Sequence, residues 1–147
     1  MRLIYLEPDQ FESPPPPFRT GAAGRVWLSE WGELETDERV RLSANTVHAL
    51  EGHGVLVELN RLPVELGKLG DGRDVLVPHA ALDTAADILT EADRKTYGAR
   101  YEFVVAREHG AEYRIRIQNR EYQRALARMR DLLVAAGRQG FAVWLRI

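Results

Sequence analysis

The 147-residue sequence predicts a single α+β domain, residues 1–147: a mainly antiparallel sheet of several short strands with about three helices, ending in a ββαβ unit. Three patterns carry this expectation. Tyr101, Phe103 and Val105 recur at every second position, as do Tyr113, Ile115 and Ile117, and Glu108-His109-Gly110 between them has the composition of a hairpin turn. Apolar residues at 122, 125, 126, 129, 132, 133 and 136 then form one stripe with a period of about 3.6, that of an amphipathic helix. Upstream, glycine and proline cut the chain into pieces the length of short strands and helices.

In chain order, residues 2–6 read as a strand. The four prolines at 14–17, flanked by Phe11 and Phe18, mark a loop around residues 11–20. Such a run favours polyproline II and is barred from a sheet centre. It serves either as a surface strap pinned by its phenylalanines, the commoner outcome, or as a ligand for a partner. Residues 25–28 and 38–42 read as strands on either side of an acidic turn, 30–37, that carries Trp31. Ser43 is an N-cap for a short helix over 44–51, stopped by Gly52. The apolar run 54–59 is expected as a strand, extended or bent over 62–66, where Pro63 marks a bulge or edge. Gly70-Asp71-Gly72 supplies a turn into a strand at 74–77 that Pro78 ends. Asp83 then caps a helix over 84–97. After the hairpin, Asn119 caps the long helix, Gly137 ends it, and Phe141, Val143, Leu145 and Ile147 alternate on a final strand.

Composition narrows the function. With no cysteine there are no disulfides, thiolate zinc sites or cysteine nucleophiles. The apolar start, Leu3 to Leu6, is too short for a signal-peptide core, and nothing approaches the roughly 20 apolar residues of a membrane span. The expectation is a cytoplasmic protein without membrane contact. Charge is unevenly placed: residues 1–93 hold 8 basic and 17 acidic side chains and residues 94–147 hold 12 and 5, so net −9 and +7 give the formal −2. Eighteen of the twenty cations are arginines, whose planar forks match phosphate and carboxylate. A basic C-terminal third meets either an external polyanion or the acidic part of its own chain.

Two arginine sets express these alternatives. If the hairpin and the final strand turn their bulky residues to the helix, their other face carries Glu102, Val104, Ala106, Arg114, Arg116, Ala142, Trp144 and Arg146. Arginines interleaved with an indole suit single-stranded nucleic acid, because bases stack on aromatic rings and guanidinium pairs with phosphate. The competing expectation makes Trp144 core and pairs these arginines with carboxylates from 30–38 or 83–93. Arg120, Arg124, Arg128 and Arg138 lie on the helix face opposite the apolar stripe, with Asp131 among them as a partner for Arg128. They would contact phosphates, or simply be a solvated face.

Catalytic signals are weak. His48 and His53 are five apart, not the four that stacks two imidazoles on one helix face, and Asp71 and Asp74 are ordinary turn carboxylates. Residues 67–72 resemble a phosphate loop without its Gly-Lys-Ser/Thr ending. The sequence therefore points away from an enzyme and invokes no cofactor or metal. It favours a binding module for single-stranded nucleic acid or RNA through Arg114, Arg116, Arg120, Arg124, Arg128, Trp144 and Arg146. The alternative is a protein-interaction or self-associating subunit using complementary patches, and a small metal-dependent hydrolase or nuclease ranks last.

Overall fold

Two small sheets share one hydrophobic core in the computed structural model, which describes residues 2–6, 24–28 and 39–147. The elements run β1 (Arg2–Leu6), β2 (Gly24–Leu28), β3 (Arg39–Leu42), α1 (Ala44–Gly52), α2 (Val55–Leu59), β4 (Asp74–Val77), a 3-10 turn (His79–Ala81), α3 (Leu82–Lys95), β5 (Arg100–Glu108), β6 (Ala111–Gln118), α4 (Asn119–Gln139) and β7 (Val143–Arg146). The proline run, its phenylalanines and the acidic turn with Trp31 lie outside the described residues. The α+β class expected from the sequence is what the chain adopts.

The first sheet has the order β1-β6-β5, with β1 parallel to β6, and the second has the order β3-β2-β7-β4, antiparallel throughout. The hairpin β5–β6 closes through His109 and Gly110, both at positive φ (50° and 74°), the signature of a type I′ turn. A bulge between Val104 and Ala106 then shifts the register by one residue. Without it the two apolar series of the hairpin would face opposite sides; with it Phe103 stands opposite Ile115 and Glu102 opposite Arg116.

Helix α4 lies at the centre, with Tyr122, Leu126, Met129, Leu132, Leu133 and Ala136 buried as the stripe requires. It packs on α3, on α1 and on strands of both sheets. Asn119 is its first residue rather than its cap, donating through Nδ2 to the carbonyls of Tyr97 and Gly98. The helix runs past Gly137 and ends at Gly140 (φ 79°), where Phe141 N–H bonds to Ala136 and Gly140 N–H to Gly137. That pair of bonds is a Schellman closure, for which Gly140 supplies the left-handed residue.

Three further expectations fail locally. Residues 55–59 form a helical turn, not a strand: Val55, Leu56 and Leu59 are buried while Val57 is 60% exposed, a helical spacing that a segment of only five residues, four of them apolar, conceals. Of 62–66, only Glu65 bridges to a strand, at Leu76. Helix α3 begins at Leu82 after the 3-10 turn, with no side-chain cap; Asp83 sits inside its first turn, where a carboxylate complements the helix dipole. Ser43 does cap α1, its Oγ accepting from Thr46 N–H.

Candidate nucleic-acid interface

The expected platform is divided between the two sheets. Alternation shows which face of β7 is buried but not which strands it joins. A 21-residue helix, about 30 Å long, carries the chain from β6 to a place between β2 and β4. Arg114 and Arg116 therefore stand on the first sheet, Trp144 and Arg146 on the second, and no common face holds all four.

The strand arginines are also engaged. Glu112, only 5% exposed, accepts from Arg107 Nε at 2.9 Å and from Arg114 Nε at 2.5 Å. The Arg107 hydrogen bond, with that of Arg114 beside it, holds the Glu112 carboxyl below its ordinary value, and Glu112 in turn raises Arg114. Arg116 bonds Glu102 Oε1 at 3.0 Å, and its guanidinium carbon lies 4.3 Å from the Tyr5 ring centroid. Arg146 forks onto Asp74, directly opposite it across β4–β7, at 2.5 and 3.2 Å. Internal pairing is the competing expectation, but the carboxylates found are Glu112, Glu102 and Asp74, none of them in 83–93, and 30–38 lies outside the described residues. Glu102 and Asp74 stand opposite Arg116 and Arg146 across neighbouring strands, the natural pairing unit of a sheet, whereas Glu112 and Arg114 are two residues apart on β6. Trp144 is part-buried in the middle of the second sheet, between the registers of Trp27 and Leu76.

The helical arginines are arranged differently. Arg120, Arg124 and Arg128 are exposed and, among the described residues, form no ion pair; Asp131 turns instead to Arg130, at 3.8 Å. Their side chains form one wall of a groove of about 590 Å³. Arg41, pointing outward from β3 between the buried Val40 and Leu42, joins them from the strand side, with Ser43 and Thr46 at the start of α1 and Gln118 at the start of α4. Arg41 escapes a reading by sequence blocks because it belongs to the acidic part of the chain. The available signal is its place in the β3 alternation. Arg138 lies near the far end of α4 and takes no part.

Among the described residues one carboxylate, Glu121, lies in this groove; its Oε1 accepts the Ser43 hydroxyl at 2.6 Å, tying the start of α1 to the first turn of α4. That turn has no side-chain cap, so its N–H groups add positive potential at this end of the groove. Among the described residues no aromatic ring lines it.

The other residues considered from sequence are dispersed. His48 is buried in α1. His53 sits against Tyr101 and stacks on Tyr122, with ring centroids 4.2 and 4.5 Å away, and burial lowers its pKa. It also borders a smaller hollow of about 280 Å³ between α2 and α3. Asp74 is held by Arg146. In the glycine loop, the Gly70 and Gly72 N–H groups bond the Ile147 backbone oxygen at 2.8 and 3.1 Å, so these amides are committed to the end of β7 rather than offered to a phosphate. Among the described residues no three His, Asp or Glu side chains gather as a metal ion would need, and no helix is long and apolar enough to cross a membrane. Compared with known proteins, the chain matches no family model, no curated protein and no solved structure.

Proposed function

We propose that the chain is a non-enzymatic binding module that holds single-stranded nucleic acid by its sugar–phosphate backbone. The observation that supports this is the groove in which Arg41, Arg120, Arg124 and Arg128 converge without carboxylate partners among the described residues. Arginines four residues apart on a helix advance about 6 Å per step in one row. A row facing a single opposing arginine across a walled groove suits one strand better than a duplex, whose two backbones stand a groove width of about 12 Å apart. With no ring to stack on among the described residues, the groove reads backbone rather than bases, so affinity depends little on sequence.

Titration of a labelled twelve-nucleotide strand tests this. Four phosphates neutralised give a slope of log K against log salt of about −3, at about −0.7 per phosphate on a single strand. Absence of measurable binding at low salt ends the reading.

A second reading is supported by the outer face of the first sheet. There Leu3, Tyr5 and Val104 are 48%, 44% and 38% exposed around charges that are already paired. A neutralised face with exposed apolar side chains suits a protein partner or a second copy. Light scattering over a concentration series separates the two, because the nucleic-acid reading requires no self-association.

A further inference from the structure

The groove retains a carboxylate where a phosphate site has least use for one. Glu121 directly follows Arg120 and lies three residues before Arg124, within reach of an i,i+3 ion pair, yet among the described residues it forms none. The Ser43 hydroxyl occupies one of its oxygens at 2.6 Å and fixes the group in the groove wall. An ionised carboxylate offers about four acceptor positions on two oxygens and donates nothing. Ser43 uses one, and no partner of Oε2 is found among the described residues.

A negative acceptor beside a strand's phosphates is repelled by every phosphate oxygen. It is useful only toward a donor. Base amino groups are donors, but among the described residues the groove has no ring on which a base could rest. On the backbone itself, phosphodiesters and deoxyribose within a strand offer no donor at all. Ribose offers one, its 2′-hydroxyl, the group by which proteins distinguish RNA from DNA.

We infer that Glu121 is a specificity residue that accepts the ribose 2′-hydroxyl and makes the groove selective for RNA. The inference rests on the reading of the groove as a backbone site. In it the arginines set the affinity for a strand, and Glu121 rejects deoxyribose by repelling its phosphates without a compensating hydrogen bond. Ser43 is the positioning residue that holds the carboxylate in place.

The test compares single strands of matched length and base at one salt concentration: RNA, DNA, and 2′-fluoro RNA, which keeps the ribose pucker but lacks the donor. The unsubstituted protein is expected to favour RNA by about tenfold, the size of one charge-assisted hydrogen bond. The 2′-fluoro strand should bind like DNA. Glu121→Ala should bring the RNA-to-DNA ratio close to one by tightening DNA binding. Glu121→Gln, which keeps an acceptor oxygen and the contact to Ser43, should fall between. Equal binding of RNA and DNA by the unsubstituted protein overturns the inference and leaves the groove standing. So does a Glu121→Ala protein that melts earlier and binds both strands more weakly at an unchanged ratio, the outcome of a merely structural tie. Binding to neither strand overturns the groove reading, and the inference with it.

Discussion

Arg116 and Arg124 are eight positions apart in the same basic third of the chain and stand in opposite electrical situations. Arg116 lies on a strand, opposite Glu102 across the hairpin and against the Tyr5 ring, and is spent within the fold. Arg124 lies on a helix whose neighbours one turn away on the same row, Arg120 and Arg128, are arginines too. The carboxylates nearest to it on the helix are committed elsewhere, Glu121 to Ser43 and Asp131 to Arg130. A sheet brings residues distant in sequence face to face and so supplies opposite charges, whereas a helix presents mainly its own sequence. Net charge by chain segment therefore locates the arginines without saying which remain available; secondary structure decides that.

The largest effect expected from this contrast comes from removing the helical row. Replacing Arg120, Arg124 and Arg128 together with alanine should weaken single-strand binding by a hundredfold or more at low salt, since about three phosphate contacts are lost. Thermal melting should barely move, because these side chains are exposed and, among the described residues, form no ion pair. Arg114→Ala with Arg116→Ala should do the reverse: binding changes by less than about twofold, as expected for charges already neutralised, while Tm falls because Glu112 loses a partner inside the sheet. Equilibrium titration and thermal melting on both variants check the pair of outcomes.

A smaller difference should appear in acid. The folded state holds the Glu112 carboxyl below its ordinary value of 4.5, so its contribution is fully present above that pH and is lost as pH falls through the lower folded value. Thermal melting should therefore show Tm dropping below about pH 4.5, with a shallower drop in Glu112→Gln, where the group no longer titrates. Strand binding should persist over this range wherever the protein remains folded.

How far these features are legible in the sequence follows from the same contrast. The stripe of α4, the β5–β6 hairpin and the Ser43 cap can be read because each is local, fixed by spacings of two, three or four residues. The row of Arg120, Arg124 and Arg128 is legible for that reason. The division of Arg114 and Arg116 from Trp144 and Arg146 is not, since alternation on β7 carries no information about its partners β2 and β4. The pairing of Glu102 with Arg116 depends on a bulge of one residue, for which the only sign is that the two apolar series of the hairpin require one to face the same side. Arg41 enters the groove through the packing of β3 beside α4, a long-range contact, and Glu121 acquires its place only through Ser43, 78 residues away in sequence. Helix α2 is hidden because five residues, four of them apolar, are too few to reveal a period.

The salt dependence of strand binding, measured side by side for Arg124→Ala, Arg116→Ala and the unsubstituted protein between about 50 and 200 mM salt, tests the contrast most directly. The free-row account predicts that the slope becomes shallower by about 0.7 in Arg124→Ala, one phosphate contact, and is unchanged in Arg116→Ala. Equal loss of slope in both variants, or loss confined to Arg116→Ala, would contradict it.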